Sequence, residues 1–230
     1  MKCGVVTFPG SNCNHDMIFA LEKTLEQEVV ELWHKDQDTK NCELIVLPGG
    51  FSYGDYLRSG AIARFSPIMK EVVKHANNGG LLLGICNGFQ ILCEAGLLPG
   101  ALLHNNNQKF ICKNTFLKAC SDSAGITENV NKNKAYKIPI AHGEGRYYAE
   151  IDVVEDLFEK DQVLFQYCDL NGNVSEDDNP NGSLQNIAGV SNKNKNVMGM
   201  MPHPERAVEP LLGNTDGVPL FESLLNSSKS

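Results

Sequence analysis

The stretch LLLGICNGFQIL, residues 81–92, joins a short apolar run to a cysteine and the start of a helical pattern. The aliphatic residues at 81–85 are typical of a buried strand, and the apolar residues after Gly88 recur at helical spacing. Cys86 lies between Gly84 and Gly88, where the strand should end. The sequence therefore predicts a strand-to-helix corner that carries Cys86.

The pentapeptide GICNG, residues 84–88, has the spacing of a nucleophile elbow with cysteine in the place of serine. Such a tight turn needs neighbours without bulky side chains, which gives both glycines a steric reason. The following helix would point N–H groups and the positive end of its dipole at the sulfur, which favours the thiolate. For the pentapeptide alone, a buried structural cysteine is an equal alternative.

Short apolar runs alternate with longer periodic segments along the chain. Strands are predicted over residues 3–8, 29–33, 43–47, 81–85, 111–119, 162–167 and 197–201, and helices over residues 16–27, 67–76 and 215–225. This alternation predicts an α/β fold with a mostly parallel central sheet flanked by helices. The polar, Asn-rich connections in the middle of the chain predict a small antiparallel addition. The last residues, NSSKS at 226–230, are expected to fray.

The composition favours one domain over residues 1–230, because 42% of the 230 residues are hydrophobic and can form a sizeable core. The formal net charge is −8 and Lys and Arg form no long run, which argues against nucleic acid and anionic membranes as partners. The apolar N-terminal stretch breaks at Pro9, so we expect neither a secretion signal nor a membrane span, and a cytoplasmic location.

The eight cysteines include no C-x-x-C pair, so we expect reduced thiols and no zinc site. Neither His-x-Glu pair has the H-E-x-x-H spacing of a zinc site, and the chain lacks a G-x-x-x-x-G-K-[ST] phosphate loop. The sequence therefore predicts no metal and no nucleotide cofactor in this chain.

A thiolate nucleophile needs a base, which in turn needs a group that orients it. His203 follows the apolar run at 197–201 and lies between two prolines, which disfavour helix for the residue before each of them. In an extended segment residues i and i+2 point the same way, which places the Glu205 carboxylate beside the His203 ring. The sequence therefore predicts His203 and Glu205 as an imidazole–carboxylate pair.

His142 also carries an acid two residues later, in the segment AHGEGRY. Two glycines loosen that backbone and no apolar run of similar length precedes it, which predicts a turn near the surface. We expect His142 to be a substrate or interface contact at most.

Acyl chemistry also needs donors for a developing oxyanion. The N–H of Asn87, the residue after the nucleophile, is one donor in an elbow. Gly49, Gly50 or Phe51 could supply the second, because glycines after a strand let the backbone approach closely. A tight strand-to-loop turn is the alternative for these glycines.

Five segments together resemble a known family: LPGGFSYGDYLRSGAIA, GICNGFQIL, PIAHGEGRY, NPNGS and GMMPHPERA, in this order. They are similar to class I glutamine amidotransferases, and in particular to the glutaminase subunits of phosphoribosylformylglycinamidine synthase in purine biosynthesis. The resemblance runs over nearly the whole chain. It implies a flavodoxin-like fold and the hydrolysis of glutamine through a cysteine thioester.

Carried over residue by residue, the resemblance implies Cys86 as nucleophile, His203 as acid and base, and Glu205 as its orienting group. It also implies Gln90 as a substrate contact, and Gly50 or Phe51 with Asn87 as oxyanion donors. Arg58 and Ser59 would serve substrate docking or a partner interface, although Arg58 suits an ordinary surface ion pair equally well.

The resemblance also implies two protein partners, a large synthetase subunit and a small accessory subunit. ATP and magnesium would belong to the synthetase, which would use the ammonia to convert formylglycinamide ribonucleotide to formylglycinamidine ribonucleotide.

Two other interpretations of the sequence remain open at this point. The chain could be another hydrolase with a cysteine elbow, or a non-catalytic flavodoxin-like scaffold whose cysteine is structural.

Overall fold

The structure, a computed structural model, describes residues 1–227. The strands are β1 (Lys2–Thr7), β2 (Glu28–Trp33), β3 (Leu44–Leu47), β4 (Leu81–Ile85), β5 (Ala101–Leu103), β6 (Ile111–Ala119), β7 (Ala135–His142), β8 (Arg146–Tyr148), β9 (Val163–Cys168), β10 (Ile187–Ser191) and β11 (Val197–Met200). The helices are α1 (Asn14–Phe19), α2 (Pro67–Asn77), α3 (Asn87–Glu94), α4 (Gly125–Glu128), α5 (Ile151–Glu159) and α6 (Val218–Ser227). None of these helices is long and apolar enough to cross a membrane.

Nine strands form one sheet in the order β2-β1-β3-β4-β11-β10-β9-β6-β7. The strands from β2 to β11 in this order are parallel, and the four strands beyond β11 continue the sheet antiparallel. β5 and β8 form a separate antiparallel pair. The α/β prediction is confirmed, and the antiparallel addition extends the central sheet itself. The single domain over residues 1–230 stays a prediction.

The burial of the strands follows from their position in the sheet. β3 is buried at every residue and β4 at all but its first, as expected for parallel strands that are covered on both faces. In β7, buried residues alternate with less buried ones, because one face of this antiparallel strand packs on the core. The apolar runs at 43–47 and 81–85 are therefore central strands of the sheet.

Two predicted helices differ in extent from the observed ones. α1 begins at Asn14 and is α-helical only to Phe19, after which the chain winds as a π-helix over Ala20–Thr24. α6 extends to Ser227, so the first two residues of the predicted frayed tail end a helix, and the last three lie outside the described residues.

The segments that contain the predicted site residues follow three parallel strands and lie at one edge of the sheet. β4 lies between β3 and β11, and all three run in the same direction. The residues that follow them are Gly49 and Gly50 after β3, Cys86 after β4 and His203 after β11. Since the carboxyl ends of parallel strands meet at one edge, these three segments come together there.

Candidate active site

Cys86 occupies a strained corner between β4 and α3. Its backbone has φ 51° and ψ −105°, values that a residue with a side chain rarely adopts. A Cβ on Gly88 would lie 1.8 Å from the Leu47 carbonyl oxygen, and a Cβ on Gly84 would lie 2.7 Å from the Gly88 carbonyl. Both glycines are therefore required, because α3 begins in direct contact with the end of β3.

The Cys86 side chain is buried but borders two cavities. Its Sγ lies 3.8 Å from the Ala141 carbonyl oxygen, and Cys86 immediately precedes the first residue of α3. The free N–H groups of that first turn and the helix dipole favour negative charge at this position. The corner thus places a thiol where an anion is stabilised.

His203 and Glu205 form a buried pair. The distance between His203 Nδ1 and Glu205 Oε1 is 2.6 Å, and the side chains are 2% and 0% exposed. Pro204 starts a short 3₁₀ turn over Pro204–Arg206, so the segment is not extended through Glu205 as predicted from the sequence. The pair forms nevertheless, because the fixed φ of proline suits the first position of such a turn.

The electrostatics of this pair favour a protonated imidazole. Burial lowers the pKa of His203, but the charges of Glu205 and then of the Cys86 thiolate raise it well above its ordinary value. His203 Nε2 has no hydrogen-bond partner within residues 1–227, and His203 and Cys86 line the same cavity of about 110 Å³. His203 is therefore a proton donor and acceptor beside the thiol.

Gly49 fixes the position of the His203 ring. A Cβ at Gly49 would lie 2.6 Å from His203 Cε1 and 3.1 Å from Cys13 Sγ. The imidazole packs directly on the Gly49 backbone, so the first glycine after β3 is a steric requirement of the site.

The candidate oxyanion donors differ in availability. Gly50 and Phe51 both line the two cavities that contain Cys86, but the Phe51 N–H already donates to the Gly10 carbonyl at 3.0 Å. Asn87 is the first residue of α3, where backbone N–H groups have no acceptor within the helix. The geometry therefore favours Gly50 over Phe51 as the partner of Asn87.

Gln90 lines the larger of these cavities but is already engaged. Its Oε1 accepts a hydrogen bond from Asn87 Nδ2 at 2.9 Å, and its Nε2 donates to the Glu144 carbonyl at 2.6 Å. Gln90 thus holds the segment after β7 against α3. Its role in substrate binding stays a prediction.

His142 is not on a surface turn, and that prediction is wrong. It is the last residue of the eight-residue strand β7 and is 3% exposed. Its Nδ1 bonds to Asn105 Oδ1 at 3.0 Å, and burial, with a smaller effect of His203, lowers its pKa to about 4. His142 therefore lines the Cys86 pocket as a neutral imidazole.

Arg58 and Ser59 have different surroundings. Arg58 donates two hydrogen bonds to the Glu94 carboxylate, of which that from Nη2 measures 2.8 Å, and its side chain is 65% exposed. Ser59 is buried in the wall of the Cys86 pocket. Ser59 fits the predicted role near the substrate, and the interface role of Arg58 stays a prediction.

Sequence reasoning missed Cys13. This buried thiol accepts a hydrogen bond from Arg206 Nη2 at 3.0 Å, and Arg206 Nε donates to Asp16 at 3.0 Å. The ligand atoms of Cys13, His203 and Glu205 lie within 4.8 Å of one another, a spacing that could hold a metal ion. Arg206 lies in a segment that carries the resemblance but Cys13 does not, and no sequence spacing indicates a contact across 193 residues.

A cysteine at a strand-to-helix corner beside a buried His–Glu pair, at the carboxyl edge of a parallel sheet, defines a class I glutamine amidotransferase. Residues 1–217 match the model of the CobB/CobQ-like glutamine amidotransferase domain family. The chain is 55% identical to phosphoribosylformylglycinamidine synthase subunit PurQ of Chlorobium chlorochromatii, over 97% of this chain and 96% of the relative. It is 52% identical to PurQ of Salinibacter ruber, over 98% and 96% of the two chains.

A solved structure is similar over the whole fold. It is described as the structure of PurLQS from Thermotoga maritima, and one of its chains is 46% identical with a TM-score of 0.86, over 98% of each chain. The present chain belongs to the PurQ family, the glutamine amidotransferase subunits of phosphoribosylformylglycinamidine synthase.

Proposed function

We propose that this chain hydrolyses glutamine to glutamate and ammonia through a thioester on Cys86, with His203 as acid and base and Glu205 as its orienting group. The observation that carries the proposal is the buried His203–Glu205 pair, 2.6 Å apart, in one cavity with the strained elbow cysteine. This arrangement supplies a nucleophile, a proton carrier and an orienting carboxylate.

In the first half-reaction, the Cys86 thiolate attacks the side-chain amide carbon of glutamine. The developing oxyanion accepts hydrogen bonds from the N–H groups of Asn87 and Gly50. The carbon–nitrogen bond then breaks, and protonated His203 gives its proton to the leaving nitrogen, which departs as ammonia. A γ-glutamyl thioester and a neutral imidazole remain.

In the second half-reaction, neutral His203 accepts a proton from water, and the resulting hydroxide attacks the thioester carbon. The same N–H groups hold the second oxyanion. When the carbon–sulfur bond breaks, glutamate leaves, and Cys86 returns as the thiolate beside protonated His203. Glu205 keeps the imidazole oriented through both steps and stabilises its protonated form.

The ammonia is consumed by the protein partners. The similar structure is described as that of PurLQS, and this chain would act with a large synthetase subunit and a small accessory subunit. ATP and magnesium would bind to the synthetase, which would convert formylglycinamide ribonucleotide to formylglycinamidine ribonucleotide in the cytoplasm. Nothing in this chain's proposed chemistry uses a cofactor.

Trapping the intermediate tests the proposal. The complex reconstituted with its synthetase and accessory subunits is quenched in acid during glutamine turnover, and its peptides are analysed by mass spectrometry. We expect a glutamyl group on the peptide that contains Cys86 in the wild-type complex, and no glutamyl group on the corresponding peptide of the Cys86→Ala complex treated in the same way. A glutamyl group on any other cysteine, with Cys86 unmodified, would overturn the proposal.

A further inference from the structure

The pocket that reaches Cys86 has two carboxylates in its wall. This cavity of about 140 Å³ is lined by Cys86 and Gln90 and also by Asp55, Ser59 and Glu144. Burial raises the pKa of Asp55 to about 6, the hydrogen bond with Ser59 lowers it, and the neighbouring Glu144 charge raises it further. Two acids therefore face the space that the substrate must occupy.

The protein itself supplies little positive charge to this pocket. His104 Nε2 lies 3.5 Å from Glu144 Oε1, but the His104 side chain is 66% exposed. Arg58 belongs to the same loop as Asp55 but pairs with Glu94. Within residues 1–227 no ion pair involves Asp55, so its carboxylate lacks a cationic partner.

The carboxylates are held in place by the residues around Cys86. Asn87 Nδ2 lies 3.4 Å from Asp55 Oδ1, and the Ser59 N–H lies 3.5 Å from Glu144 Oε2. The Glu144 backbone carbonyl accepts the hydrogen bond from Gln90. Both acids are thus tied to the start of α3, the helix that also positions the thiol.

His142 adds a second, independent indication of a ligand. Asn105 Nδ2 donates to two backbone carbonyls, at 2.8 and 2.9 Å, so its Oδ1 must face His142 Nδ1. Because an amide oxygen only accepts, His142 carries its proton on Nδ1, and Nε2 is left as an acceptor. His142 is 97% buried and lines the pocket, and Nε2 has no partner within residues 1–227.

We propose that Asp55 and Glu144 bind the α-ammonium group of the amino-acid substrate, with His142 Nε2 as a further acceptor in the same pocket. An ammonium group offers three donors and no acceptor, which complements a wall made of two carboxylates and a neutral imidazole. The inference rests on the proposed glutaminase function. It assigns this subsite the task of selecting α-amino acids over simple amides.

The test compares glutamine with glutaramate, the monoamide of glutaric acid, which is glutamine with a hydrogen in place of the α-ammonium group. Both are assayed as ammonia donors for the reconstituted complex. The wild-type complex should prefer glutamine strongly. In Asp55→Asn and in Glu144→Gln, the ratio of kcat/KM for the two compounds should fall by about tenfold or more, because hydrogen bonds to a charged group are lost.

The loss should appear mainly in KM for glutamine, with the glutaramate values little changed. Glu155→Gln, which removes an exposed acid of α5, is the matched control and should keep the wild-type ratio. The synthetase activity with free ammonia reports whether each variant complex is assembled.

An unchanged ratio in both variants would overturn the inference, and so would an equal loss for glutamine and glutaramate. In either case the wild-type complex would still hydrolyse glutamine, and the proposed function would stand. A wild-type complex that hydrolyses neither compound would overturn the proposed function and the inference with it.

Discussion

His203 Nδ1 lies 2.6 Å from Glu205 Oε1, and neither side chain is more than 2% exposed. At this depth an imidazolium is disfavoured unless a carboxylate compensates for the loss of water. Glu205 supplies that compensation, and its own Oε2 has no further partner within residues 1–227. The pair therefore works as a unit whose charge state depends on Glu205.

Replacing Glu205 with glutamine should shift the alkaline limb of the pH profile of kcat/KM for glutamine. The Glu205 charge is the main influence that raises the pKa of His203 against burial, so this pKa falls in Glu205→Gln. Protonated His203 is the form that protonates the leaving nitrogen, and with a lower pKa this form is lost at a lower pH. We expect kcat/KM for glutamine to drop about 100-fold and its alkaline limb to shift downward; an unshifted limb would contradict this role of Glu205.

Replacing Gly49 with alanine should displace His203. The new Cβ would lie 2.6 Å from His203 Cε1, so the ring must move away from the thiol. We expect glutamine-dependent turnover to fall by about 100-fold, since misplacement of about 1 Å has effects of this size. Ammonia-dependent turnover should be retained.

Gly172→Ala is the control for the Gly49 experiment. Gly172 has φ 81° and lies in a surface turn, and a Cβ there meets nothing within 4 Å. This variant should lose about 1 kcal/mol of unfolding free energy because of the backbone strain, with wild-type glutamine turnover. Equal loss of turnover in both variants would show that stability, and not the position of His203, governs the result.

The buried His142 should make the protein sensitive to acid. Its pKa in the folded state is about 4, below the value of about 6.5 for an unfolded histidine. The neutral ring thus contributes stability that is complete above the unfolded pKa and is lost as the pH falls from about 6.5 towards 4, by about 3 kcal/mol in total.

Urea unfolding of wild type and His142→Gln at pH values on both sides of this window measures the effect. The variant should be less stable than wild type at neutral pH, and the difference should shrink as the pH falls. A constant difference would mean that His142 does not titrate between these values.

Most of the parallel half of the sheet was readable from the sequence because β1, β3, β4 and β11 are buried along most of their length and appear as apolar runs. β7 was not readable, since Pro139 interrupts its pattern. β7 is one of the two edge strands of the sheet, and an edge strand tolerates a proline that a central strand does not. The wrong prediction for His142 followed directly from the missed strand.

The candidate site, like the sheet, could be predicted from the sequence only in part. Cys86 lies two residues from each of its glycines, and His203 lies two residues from Glu205. The elbow and the imidazole–carboxylate pair could therefore be predicted from spacing in the sequence. The contact between Arg206 and Cys13 spans 193 residues, and the hydrogen bond that occupies the Phe51 N–H comes from packing against the Gly10 loop. Such contacts depend on the tertiary fold, and no local pattern encodes them.

The most direct test of the central claim is the turnover of the reconstituted complex with Cys86→Ala, measured with glutamine and with free ammonia. The strained elbow, the His203–Glu205 pair and the oxyanion donors all serve one nucleophile. We expect the variant to lose glutamine-dependent turnover and to keep ammonia-dependent turnover at the wild-type rate. Glutamine hydrolysis that persists in Cys86→Ala would contradict the assignment of the nucleophile and the mechanism built on it.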